Sequence, residues 1–234
     1  MTETPAPAGR RRLWLAALFV ALVLVLTAPL WGPRALSGLA FFRVRKVEIR
    51  GATYLAPSEV LGRLAIDSTA SVWDDPTPWI ARLQKHPQVR GARVERRLPG
   101  TLVVHVEENL PVALVPARRG FTAIDGSARP LPIDPAGASL DLPILAARDT
   151  ALARLLADLR AAYPSLFARV SELRRDGREE LILHVGDLRV RALASVTADR
   201  LAEVGPVEAD LTRRHLPVHE LDLRYRDQVI ARIQ

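Results

Sequence analysis

The chain has 234 residues, a net charge of +7 and no cysteine, which excludes disulfides, thiolate metal sites and cysteine nucleophiles and leaves packing alone to hold a folded part. Beyond residue 33 there remain 30 basic and 25 acidic residues, or +5, with Lys46 and Lys85 as the lysines among arginines. Because both signs are interspersed, the excess reads as a solvated mixed surface rather than a nucleic-acid footprint.

Residues 1–9 are Pro- and Ala-rich and read as unstructured linker, part of a short tail over 1–12. Arg10-Arg11-Arg12 precedes residues 13–33, a run without charge. As a helix rising ~1.5 Å per residue, that run spans ~30 Å, the hydrocarbon thickness of a bilayer. It reads as a single transmembrane helix with Trp14 and Trp31 near its ends, and the arginines place the tail in the cytoplasm. A cleaved signal peptide fits less well, since Ala28 is followed by Pro29. A buried core helix fits less well still, since the run has no polar face at all.

Residues 42–50 alternate and predict a strand ended by Gly51. Ala56-Pro57-Ser58-Glu59 opens a short helix with Val60, Leu61 and Leu64 inward, and Asp75 caps a second helix over Trp79, Ile80 and Leu83. Strands over 89–97 and 101–108 flank Leu98-Pro99-Gly100, with Leu102, Val104 and Val106 on one face. The order strand, helix, helix, strand, strand predicts a layered α+β domain.

From residue 111 the pattern is β-rich. Short strands over 112–115 and 121–124 precede a proline-rich link over 128–143. Leu152, Leu155, Leu156 and Leu159 mark a helix stopped by Pro164. Strands over 170–175, 181–185 and 188–193, separated by Asp176-Gly177 and Gly186-Asp187, form a meander. A helix over 197–216, capped by Thr197, is kinked or split at Gly205-Pro206. Strands over 220–225 and 229–233 close the domain, the second offering an open sheet edge to a partner strand.

No catalytic constellation emerges. There is no phosphate-binding glycine loop and no Gly-x-Ser-x-Gly elbow. His215 and His219 are interrupted by Pro217, which argues against a helical metal face. Glu107 and Glu108 point to opposite faces of a strand, and His105 sits on its polar face. Neither an enzyme, such as a wall hydrolase, nor a bound cofactor or metal is expected.

The residues that carry a family resemblance are the runs 42–51, 58–60, 79–80, 87–102 and 106–113, with Leu142-Pro143 and Leu221-Asp222-Leu223-Arg224-Tyr225. In their order and spacing the chain resembles the bacterial cell-division family FtsQ, called DivIB in some bacteria. The resemblance implies an FtsQ-type POTRA domain over 42–110 and an FtsQ-type β domain over 111–234, with an antiparallel sheet and two flanking helices. It implies a non-enzymatic scaffold in the cytoplasmic membrane at the division septum. Its extracytoplasmic β domain would bind FtsB and FtsL, act through them on FtsW and FtsI, and be recruited through FtsK. Tyr225, Arg226, Asp227, Val229, Ile230 and Arg232 occupy the positions of the FtsB-binding strands. Tyr225 would supply contact area and Arg232 a charge for a partner carboxylate. The alternative, a POTRA-bearing chaperone-like module of protein export or outer-membrane assembly, calls for tandem repeats or a barrel.

Overall fold

The computed structural model describes residues 8–226 and 228–233. The chain opens on a helix, α1 (Ala8–Ser37), and divides into two compact units, the first of which includes that helix. Among the described residues no helix is long and apolar enough to cross a membrane. The side chains described over 14–27 of α1 are apolar apart from Thr27 and almost all exposed. Thr27 returns its hydroxyl to the Val23 carbonyl at 2.7 Å. The side chain of Trp31 and residues 1–7 of the expected tail lie outside the described residues.

The first unit, up to His86 and from Gly91 to Glu107, contains β1 (Lys46–Arg50), α2 (Pro57–Leu64), α3 (Thr77–Leu83), β2 (Val89–Arg97) and β3 (Thr101–Glu108). β2 begins, and β3 ends, in the second unit. The three strands order β1-β3-β2, with β1 parallel to β3 across the helical crossover. Val60, Leu64, Leu83, Leu102, Val104 and Val106 are buried at 3% exposure or less, each contributing ~2 kcal/mol through apolar area removed from water. The expected first strand starts four residues late. Phe42 instead closes a 3-10 turn with Leu39, and Val44 and Phe42 bond back to Ala70 and Val72. Leu61 faces solvent rather than the core. Asp75 accepts the Thr77 amide at 3.0 Å, but Pro76 holds the N-cap position. Gly51 sits at φ +79°, and a Cβ there would lie 2.4 Å from the Val106 carbonyl oxygen.

The second unit, Pro87–Arg90 and Glu108 onward, contains β4 (Ala113–Pro116), β5 (Phe121–Ile124), β6 (Ile144–Leu145), α4 (Thr150–Ala162), α5 (Pro164–Phe167), β7 (Val170–Asp176), β8 (Glu180–Val185), β9 (Leu188–Leu193), α6 (Ala198–Ala202), α7 (Val204–Arg213), β10 (Val218–Asp222) and β11 (Ile230–Ile233). The sheet order is β11-β10-β9-β8-β7-β6-β4-β5. It is mixed rather than purely antiparallel: β6 is parallel to both β4 and β7, and β10 to β9, because loop and helical crossovers intervene.

Leu152, Leu156, Leu159 and Leu201 from the helices pack with Leu173, Leu181, Leu183, Val190 and Leu221 from the sheet. Two expected helices become four. Pro164, which lacks an amide to bond, opens α5 rather than merely stopping α4. The second stretch divides at Glu203, so that Gly205 and Pro206 fall in the first turn of α7, where a missing amide costs nothing. Thr197 caps α6, its hydroxyl accepting the Arg200 amide at 3.3 Å.

Candidate functional site

β11 is the outermost strand at one end of the eight-stranded sheet, and among the described residues it pairs with β10 alone. Its register is antiparallel: Glu220 opposite Arg232, Leu221 opposite Ala231 and Asp222 opposite Ile230. The period of two along a strand divides its side chains. Val229 and Ala231 lean on the core, while Ile230 and Arg232 take the opposite face. Tyr225, Ile230 and Ile233 are 51%, 41% and 49% exposed, large apolar groups along and before this edge strand.

Five of the six expected site residues are thus gathered at one end of the sheet, though not all on strands. Ile230 and Arg232 lie in β11. Tyr225 and Arg226 lie in the connection before it, Val229 just outside it, and Asp227 outside the described residues. β10 ends at Asp222 rather than 225, since the Asp222 carboxylate accepts the Arg224 amide at 3.1 Å and turns the chain out of the ladder. Arg232 is already paired within the chain, 3.4 Å from Glu220, which also lies 3.8 Å from Arg189.

That ion pair is the end of a charge lattice across the sheet face away from the core. Glu180 receives Arg191 at 2.8 Å and Arg224 at 2.7 Å, and Arg224 also grips Asp222. The hydrogen bond from Arg224, then that from Arg191, holds the Glu180 carboxyl below its ordinary range. Arg224 does the same to Asp222, against the burial that opposes it, and its own guanidinium is pushed up in return. Sequence reasoning missed Glu180, Arg191 and Arg224 as a group. Their signal was charge at alternate positions of neighbouring strands, as in Arg189-Val190-Arg191.

Behind the edge stands Arg200 on α6. One nitrogen, Nη2, donates to the carbonyls of Tyr225 (2.7 Å) and Gln228 (2.9 Å), and Nη1 pairs with Glu203. The other candidates are dispersed. His215 lies past α7 at φ +56° and His219 in β10, while Glu107 is exposed and Glu108 buried.

Residues 42–109 match the family model described as POTRA domain, FtsQ-type. The chain is 29% identical to the cell division protein FtsQ of Rhodothermus marinus, over 98% of this chain and 91% of that protein. It is 26% identical to the cell division protein DivIB of Geobacillus kaustophilus, over 77% and 72%, and 29% identical to FtsQ of an Anaeromyxobacter species, over 92% and 78%. The solved major extracytoplasmic domain of DivIB from Geobacillus stearothermophilus aligns at 23% identity over 44% of this chain and 93% of that one, with a TM-score of 0.33, too loose a likeness to carry an argument. Over residues 42–109 the chain is thus similar to the FtsQ-type POTRA domain, and the relatives above are cell division proteins named FtsQ and DivIB.

Proposed function

We propose, from relatives that are the FtsQ and DivIB cell-division proteins, that this chain is a membrane-anchored divisome scaffold without catalytic activity of its own. In this reading residues 1–12 are a cytoplasmic tail and 13–33 cross the cytoplasmic membrane. Residues 42–110 form the POTRA domain and 111–234 the β domain, both extracytoplasmic at the septum. The uncharged run behind Arg10-Arg11-Arg12 supports the anchor and its orientation.

The observation that carries the binding role is the edge of β11, with backbone groups open to pairing and Tyr225, Ile230 and Ile233 exposed beside it. Such an edge takes an extended segment as an added strand: main-chain bonds give affinity, and flanking apolar groups give selectivity. The segment proposed is from FtsB, held with FtsL, and through them the scaffold acts on FtsW and FtsI. FtsK is proposed to recruit it through the POTRA domain.

The test uses the full chain in lipid nanodiscs, mixed with the extracytoplasmic segments of FtsB and FtsL from the same organism. A 1:1:1 complex weakened by Tyr225→Ala supports the reading. Absence of any complex from a folded chain overturns it.

A further inference from the structure

We propose that Arg200 is the positioning residue that holds the β10–β11 connection, and with it the edge strand, ready for an incoming strand. This rests on the strand-addition reading above. Arg200 does not lie on the edge itself but on α6, on the far side of the connection.

Two anchors make α6 a fixed platform. Thr197 caps it through the main-chain amide of Arg200 itself, and the Tyr163 hydroxyl donates to Asp199 at 2.8 Å. From that platform the guanidinium reaches the carbonyls of Tyr225 and Gln228, which lie three residues apart. Tyr225 is thereby held where its ring is exposed, and Gln228 leads through Val229 into β11. The side chain itself is only 19% exposed, and its charge strengthens both bonds, which lie at the solvent boundary. Arg226, by contrast, lies exposed on the connection.

The consequence concerns preorganisation. β11 is short and pairs on one side, so it has little beyond β10 and the Val229 and Ala231 packing to keep it ordered. An added strand gains least where it must first order its template. Holding the connection at Tyr225 and Gln228 spares that cost. The planar fork matters here: it sends two N–H groups from a single nitrogen to two carbonyls while the other nitrogen keeps Glu203, a geometry a lysine ammonium cannot reproduce in full.

The experiment has two arms on the full chain in nanodiscs: amide hydrogen exchange of residues 230–233 without partner, and affinity for the FtsB and FtsL segments. Arg200→Ala is expected to speed exchange at β11 and to weaken binding by about tenfold, the effect of losing a charge-assisted hydrogen bond, while exchange in β8 and β9 is unchanged. Arg200→Lys restores part of both and carries the test if the alanine variant does not fold. Glu203→Ala, which leaves both carbonyl bonds in place, stays near wild type. Unchanged β11 exchange in Arg200→Ala, or equal effects from Glu203→Ala, overturns the assignment. Faster exchange without any binding by the wild-type chain overturns the strand-addition reading and Arg200's part in it, and leaves the staple as a feature of the free fold.

Discussion

Asp149 shows how much one carboxylate does in this fold. It accepts the amides of Ala151 (2.8 Å) and Leu152 (3.1 Å) at the start of α4 and the Arg175 guanidinium at 2.5 Å, tying the helix to β7. Asp149→Ala is expected to cost about 1–2 kcal/mol, the value of a helix cap, read as a lowered thermal midpoint at pH 7. Arg175 first, then the two amides, keeps this carboxyl below its ordinary range against partial burial. A depressed carboxyl stabilises above its unfolded value of ~3.9 and loses that contribution as pH falls through the folded value, so the gap between variant and wild type should close below about pH 4. Gly51 has the opposite character, a place where nothing can be added. Its φ of +79° and the nearby Val106 carbonyl predict that Gly51→Ala costs about 1–3 kcal/mol, measured by chemical denaturation. The glycine was legible as the stop of an alternating run. The Arg175 contact was not, because residues 26 positions apart leave no local pattern.

At the scale of elements, local signals carried and distant pairings did not. The meander β7–β8–β9 was legible because each turn carries a glycine, Gly177 and Gly186, at positive φ between alternating runs. β6 was invisible. Two residues have no period, and Ile144 and Leu145 become a strand only by insertion between β4 and β7. The parallel pairing of β10 with β9 was hidden for the same reason, being fixed by where α6 and α7 return the chain. The six expected residues were named from a family-like run, but the division of the five described ones between connection and strand follows from the Asp222 turn, a side-chain bond no alternation reveals. Adjacent amides of a strand point to opposite edges. On the strand-addition reading proposed above, Ile230→Pro and Ala231→Pro should therefore behave differently: one removes a bond to β10 and lowers the thermal midpoint, while the other leaves stability nearly intact and abolishes the proposed complex with FtsB. Equal behaviour of both variants in stability and binding would argue against strand addition at β11.

For the whole molecule, the question is what the N-terminal helix does for the two folded units. Residues 13–33 contain seven leucines, three valines and a phenylalanine. At the helix centre such side chains each favour insertion by ~0.3–0.6 kcal/mol, so the run gains several kcal/mol in total. The same scale assigns about 2.5–3.5 kcal/mol against each arginine placed there. One substitution at the centre should thus weaken insertion, and two should cancel it. Leu22 and Val23 sit mid-run with exposed side chains and belong to neither set of buried core residues, so their replacement is expected to leave both cores packed. The single variant Leu22→Arg is expected to remain largely in the membrane fraction after alkaline extraction. The pair Leu22→Arg with Val23→Arg should move to the soluble fraction while still binding FtsB and FtsL segments added in solution. On the proposed membrane-anchored scaffold reading, the double variant in cells should lose its place at the septum and fail to support division, even though β11 is unaltered. Retention of the double variant in extracted membranes would show that something other than this helix holds the protein there. Release with division intact would separate the anchor from the function, and the scaffold would then act through the β domain alone.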